Sequence, residues 1–217
     1  HELRTPLAVI HTRAQMVRRH LPSGSTPQQR AEVDQLVADT ESLGEVVSDL
    51  LLAAQLQHTQ VASTRVDLAE LAHEVAASMG PYAEQAGVRL EVASTDGPEP
   101  DGPEPDGPAP DDLVVTGAPT ALRRALTAMV DNAIAHSEPG GVVRIKIHVE
   151  PVARTPLGGE GARWVCLAVQ DQGEGLDPRE ADRLTTRFAR GPSSRGSGGR
   201  RFGLGLALVD EVVRAHR

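Results

Sequence analysis

The sequence predicts an α+β protein in which an antiparallel helical hairpin, completed as a dimeric four-helix bundle, precedes an α/β sandwich of sheet and helices. Three observations predict it. Apolar residues fall alternately four and three apart over residues 3–21 and again over 33–54, the spacing of a bundle seam. From Asp67 onward, stretches of helical period alternate with short runs of strand character. Aromatic residues make up only 2% of the 217, so cores must be built from Leu, Val and Ala, which suits helices and small sheets.

The first seam runs Leu3, Leu7, Ile10, Ala14, Val17 and Leu21. It leaves His1 and Thr5 off the core, one turn apart on an exposed face. Glu2 is adjacent and could take the imidazole proton, leaving the other ring nitrogen free to attack an electrophile. A single histidine in such a place is ordinarily just a solvated helix residue. Pro6 should loosen or kink the helix beside it. Residues 22–27, Pro-Ser-Gly-Ser-Thr-Pro, end this helix, with Thr26 placed to cap the next and Pro27 at its first position. The second seam is Val33, Leu36, Thr40, Leu43, Val47, Leu50 and Ala54. One hairpin covers two such faces poorly, so a homodimer is its natural completion, and a monomeric hairpin packed on the next domain is the alternative.

The hairpin is assigned to residues 1–57 and a linker to 58–66, where the period is lost; a second domain spans 67–217. Asp67 caps a helix to about Gln85, and residues 88–92 alternate as a strand. Residues 96–112 carry a repeated Asp-Gly-Pro-Glu-Pro that can form neither helix nor ladder, so a disordered acidic insert is expected there. A strand resumes over 113–116, and Pro119 opens a helix running to His136. Strands at 142–149 and 164–170 pair antiparallel if the glycines at 158–161 form their loop. A long loop and a helix from about Gly203 close the chain.

The formal net charge is −8, and no basic stripe with interleaved aromatics occurs, which disfavours nucleic acid as a partner. No apolar run approaches the eighteen or so residues of a membrane span. Cys166 lies in the run Trp-Val-Cys-Leu-Ala-Val and reads as a buried strand residue without a disulfide, consistent with a reducing compartment.

Three downstream stretches could together hold a nucleotide. The amide oxygen of Asn132, near the end of its helix, could ligate a hard cation such as Mg2+ already carried on phosphates. In Asp171-Gln172-Gly173-Glu174-Gly175 a carboxylate could accept from an exocyclic amine while the glycines allow close backbone approach; a plain turn is the equal alternative. In Phe202-Gly203-Leu204-Gly205-Leu206 two glycines open an apolar helix whose N-H groups and dipole suit phosphates. The preceding loop carries Arg187, Arg190, Arg195, Arg200 and Arg201 among glycines, as a lid over polyphosphate would.

The order of these stretches resembles a sensor histidine kinase of two-component signalling. His1-Glu2-Leu3-Arg4-Thr5-Pro6-Leu7 is similar to the family's phosphoacceptor box, and Asp131-Asn132-Ala133-Ile134 with His136-Ser137 to its asparagine box. Asp171 to Gly175 resembles the first glycine box, Phe188-Ala189-Arg190-Gly191 the phenylalanine box, and Gly203-Leu204-Gly205-Leu206 the second glycine box. The resemblance implies a homodimer that binds ATP with Mg2+ in an ATP-binding domain of the histidine kinase type. It implies transfer of the γ-phosphoryl to His1, with Glu2 as base, Asn132 as metal ligand and Asp171 reading adenine. The phosphohistidine would then pass its phosphoryl to an aspartate of a response-regulator receiver domain, and Thr5 would orient water for a companion phosphatase activity. By the same resemblance, the chain is a cytoplasmic segment of a membrane-anchored parent, with strands to follow Arg217.

Departures accompany the likeness. Ala128 stands where the family has an earlier asparagine, Ala135 where it has a basic residue, and Arg201 where the second glycine box has its first glycine. A catalytically weakened dimeric scaffold that binds ATP and docks a partner is therefore the competing reading.

Overall fold

The computed structural model describes residues 4–58, 63–94, 110–151, 163–173, 175 and 205–216. Helices α1 (Arg4–Arg19) and α2 (Pro27–His58) form the expected hairpin. The Ser25 N-H donates to the Pro22 carbonyl in the connecting turn. Thr26 and Gln29 then cap α2 reciprocally: the Gln29 N-H donates to Thr26 Oγ1 at 3.2 Å and the Thr26 N-H to Gln29 Oε1 at 2.9 Å. Pro6 lies in the first turn described, so the kink expected around it falls at the edge of the described residues.

The seam divides in phase. Leu7, Ala14 and Leu21 are buried or half-buried with Val33, Thr40 and Val47, whereas Ile10, Val17, Leu36, Leu43 and Leu50 stay exposed. Half of each heptad thus meets the sister helix, and half is left to a surface outside the chain. Between the helices, His11 Nδ1 lies 3.1 Å from Thr40 Oγ1.

The assigned linker is partly wrong. Residues 64–67 form strand β1 (Thr64–Asp67), paired antiparallel with β3 (Val114–Gly117) so that Val66 lies opposite Val115. A four-residue strand with one buried side chain carries too little periodicity to be read alone. Asp67 both ends β1 and caps α3 (Leu68–Gln85), its Oδ1 accepting from the Ala69 and Glu70 N-H groups at 2.8 and 3.2 Å. The disordered stretch expected over 96–112 meets described structure at its far end. Pro110–Leu113 turn as a short 3-10 helix leading into β3, while 95–109 lie outside the described residues.

A second sheet holds β2 (Arg89–Ser94), β4 (Val142–Pro151) and β5 (Arg163–Gln170). Strand β2 runs parallel to β4, and β4 antiparallel to β5; the loop between β4 and β5, with its glycines, lies outside the described residues. Helix α4 (Pro119–His136) and α3 cover one face, where Leu126, Val130, Ile134, Val143, Ile145 and Ile147 form the centre of the core. Because side chains alternate along a strand, Arg144, Lys146, His148 and Glu150 of β4 face the other way. Cys166, opposite His148, shares that outer face and is half-buried rather than buried as expected. Partial burial and the neighbouring Glu150 carboxylate both raise its thiol pKa.

Helix α5 (Gly205–Ala215) packs on α4 and on α2. Ala53 of α2, Ala118, Ala121 and Ala125 around α4, and Leu208 and Val212 of α5 make a second, smaller core that joins hairpin to sandwich. At its far end, the Ala118 N-H donates to His216 Nε2 at 2.9 Å, and His216 Nδ1 donates to the Val212 carbonyl at 2.7 Å. Helix α4 has no side-chain cap of its own at Ala118, so His216 satisfies that N-H from the other helix. Among the described residues, no helix is long and apolar enough to cross a membrane.

Candidate functional site

The site is built around the C-terminal half of α4. Asn132 is half-buried there, and His136 forms the exposed last turn. Strand β5 ends at Gln170 and delivers Asp171 into a tight turn, where its Oδ1 accepts the Gly173 N-H at 2.8 Å. Gln172 fastens the same turn to β4, its Oε1 accepting the Val142 N-H at 3.0 Å. Gly173 has to be glycine: a Cβ there would lie 2.6 Å from the His136 carbonyl oxygen. This contact sets the Asp171 turn directly against the end of the helix that carries Asn132. Gly175 has φ +74, a left-handed conformation that side chains resist.

Gly205 opens the described part of α5 against α4, where a Cβ would lie 3.4 Å from Ala128 Cβ. The small residue at 128 thus sits under the start of α5. Asp171 and Gly173 thus lie at the end of α4 that carries Asn132 and His136, while Gly205 lies against Ala128, about two turns earlier on the same helix. His1, Glu2, Phe188, Arg190, Gly203 and Leu204 lie outside the described residues, as does the side chain of Thr5.

A second feature joins the two halves of the chain. Arg124 of α4 forks onto Asp49 of α2, Nε at 2.6 Å and Nη2 at 3.2 Å, with Glu45 at 3.7 Å. The hydrogen bond to Asp49 raises the Arg124 pKa above its ordinary value, against the opposing effect of burial. Above this pair opens a groove of about 540 Å3, lined by Leu7 and His11 of α1, Glu41, Glu45 and Ser48 of α2, and Arg124. The sandwich therefore docks on the end of the hairpin from which α1 begins. Sequence reasoning missed the Arg124–Asp49 pair, because nothing in a one-chain pattern links residues so far apart.

Residues 1–59 match the His Kinase A phospho-acceptor domain, and residues 117–217 match the histidine kinase-, DNA gyrase B- and HSP90-like ATPase domain. The chain belongs to the two-component sensor histidine kinases. Among kinases of this family, the probable sensor histidine kinase TcrY of Mycobacterium tuberculosis is 31% identical over 218 residues, covering 100% of this chain and 40% of TcrY. The sensor protein SphS of Synechococcus elongatus is 31% identical over 226 residues, covering 100% of this chain and 48% of SphS. The crystal structure of full-length ShkA in complex with AMPPNP superposes with a TM-score of 0.63 at 25% identity, over 99% of this chain and 39% of that one. The chain thus spans less than half the length of these relatives. The chain thus carries a phospho-acceptor domain followed by an ATPase domain.

Proposed function

We propose that this chain is the catalytic part of a sensor kinase that phosphorylates His1 from ATP and passes the phosphoryl group to an aspartate of a response regulator. The observation that carries the proposal is the close approach of Gly173 to His136, which places the Asp171 carboxylate beside the helix bearing Asn132. Asp171 is suited to accept from an adenine amine while Asn132 faces the phosphates. The Asn132 amide fits a single protein oxygen for Mg2+, a cation that keeps most of its ligands as water and phosphate. Mg2+ would supply neutralisation of charge between the β- and γ-phosphates. Gly203, Leu204 and Gly205 would offer backbone N-H groups to the phosphates, and Phe188 and Arg190 would belong to the lid.

For the chemistry, Glu2 takes the proton from one imidazole nitrogen while the other attacks the γ-phosphorus. The N–P bond forms as the bond to the β,γ-bridging oxygen breaks, and ADP leaves with that electron pair. The protein's contribution is position and charge. In the reverse service to its regulator, Thr5 would orient a hydrolytic water, giving phosphatase activity. The working boundaries are hairpin 1–58 and ATP domain 64–217, with β1 belonging to the latter and the exposed Leu36, Leu43 and Leu50 row as the surface that meets a second copy. Membrane attachment would come through the parts of the protein beyond this chain.

The test is incubation with γ-labelled ATP and Mg2+, alongside His1→Ala and Asn132→Ala. Acid-labile, alkali-stable label absent from both variants is the expected result. Nucleotide binding without label in a folded dimer would refute the kinase reading and favour the scaffold, with Ala128 and Ala135 as the departures responsible.

A further inference from the structure

The outer face of the sheet holds a cluster that the kinase chemistry does not use. His148 and Glu150 lie two apart on β4 and so project to the same side, while the β4–β5 register sets Cys166 directly opposite His148. The neighbours of Cys166 on its own strand, Val165 and Leu167, turn inward to the core, which confirms the thiol's outward direction. His148 Nε2 lies 3.0 Å from Glu150 Oε1, and one donor atom from each of the three residues falls within 4.8 Å of the other two. An imidazole nitrogen, a carboxylate oxygen and a thiol sulfur thus converge on one spot.

We propose that His148, Glu150 and Cys166 form a binding site for a divalent transition-metal ion of the zinc type. The donor set decides the class of metal: sulfur and nitrogen suit Zn2+ and Co2+, whereas Mg2+ and Ca2+ take oxygen ligands. Three protein ligands leave a fourth tetrahedral position, and the open face of the sheet lets water reach it. The side chains of His148 and Glu150 keep 31% and 60% of their exposure, so both can adjust to metal–ligand distances without moving the strands. On binding, the thiol proton goes to solvent, the neutral imidazole carries its one N-H on the nitrogen away from the metal, and the metal ties β4 to β5 across the sheet.

The site is separate from the nucleotide cleft. Cys166 precedes Asp171 by five residues of extended chain, roughly 17 Å at about 3.3 Å per residue. A metal here would therefore act on the stability of the sheet rather than on phosphoryl transfer.

The experiment titrates the full chain, stripped by a chelator, first with Co2+ and then with Zn2+. Cys166 is the chain's one cysteine, so a thiolate-to-cobalt charge-transfer band has a single possible source. One Co2+ per chain should bind with that band and the strong visible absorption of four-coordinate cobalt, and Zn2+ should displace it. Cys166→Ser should abolish the band, and His148→Ala and Glu150→Gln should each weaken affinity by roughly tenfold or more. Zinc should raise the Tm of the parent chain by more than that of His148→Ala or Glu150→Gln and leave that of Cys166→Ser unchanged, with the folding of all three variants verified by circular dichroism. His73→Ala, at an exposed histidine on α3, should keep both responses. A missing charge-transfer band, or a zinc-induced Tm rise that persists undiminished in the three variants, would overturn the site and leave a hydrogen-bonded cluster.

Discussion

Removing Arg124 should cost this chain more than removing its partner, although the two share one contact. Asp49 retains 9% of its exposure, and its two carboxylate oxygens accept from the Arg124 fork at 2.6 and 3.2 Å. In Arg124→Ala that carboxylate stays buried on α2 without its cation. Hydrogen bonds to charged groups contribute about 1.5–3 kcal/mol each where desolvated, and Arg124 keeps 30% of its exposure, so a loss of about 2 kcal/mol is expected. In Asp49→Ala the guanidinium still has Glu45 at 3.7 Å and can turn to water, so about 1 kcal/mol is expected. For a chain of this size those losses correspond to Tm decreases of roughly 4–8 and 2–4 °C. Arg124→Lys should recover part of the loss only, since an ammonium cannot make the two-pronged contact. Because the Arg124 pKa is raised, its contribution is complete below the unfolded-state pKa and lost only as pH rises through the folded one. The guanidinium's own titration therefore leaves the difference flat through the neutral range, while salt diminishes it. Calorimetry on the two single variants and the double variant measures it. Equal, small decreases in both single variants would refute the argument that burial of Asp49 sets the cost.

Gly173→Ala should weaken ATP binding roughly ten- to hundredfold in titration calorimetry while the fold persists, because its Cβ would meet the His136 carbonyl at 2.6 Å and push the Asp171 turn off α4. Gly117→Ala should cost about 1–3 kcal/mol in denaturant unfolding, since its Cβ would lie 2.6 Å from His216 Cδ2. Its combination with His216→Ala should cost less than the two single changes summed, and full additivity would disprove the clash. Leu43→Asp, on a side chain 43% exposed, should convert a dimer to monomer by light scattering at unchanged helicity; a dimer that survives the charge would place the interface elsewhere.

The sequence was most legible where one period persists. The hairpin seams, the helix ending at His136 and the β5 strand that presents Asp171 all follow from spacing that local chemistry enforces. The seams also pointed to a second chain, and their division into inward Ala14 and Thr40 and outward Ile10 and Leu43 is what a bundle split in half leaves. Strand β1 escaped because Val66 is its sole buried residue, and its identity comes from pairing with β3 nearly fifty residues later. Within the site, Asp171, Gly173 and Asn132 were marked by type, but the reason Gly173 must be glycine is a carbonyl on another element. Long-range partnerships such as His216 with Ala118 or His148 with Cys166 depend on register and helix packing, which no local pattern encodes.

In the small core between hairpin and sandwich, Ala53 of α2 meets Ala118, Ala121 and Ala125 around α4, and Leu208 and Val212 of α5 close it. An alanine has no rotamer to unlock, and it offers no long knob that must be withdrawn from a hole before helices can move. The alanine part of the contact therefore resists translation weakly, and the larger side chains of α5 hold the rest. With the Arg124 fork released, the larger side chains of α5, Leu208 and Val212 among them, rather than the alanines, would set the resistance to sliding of the sandwich along α2.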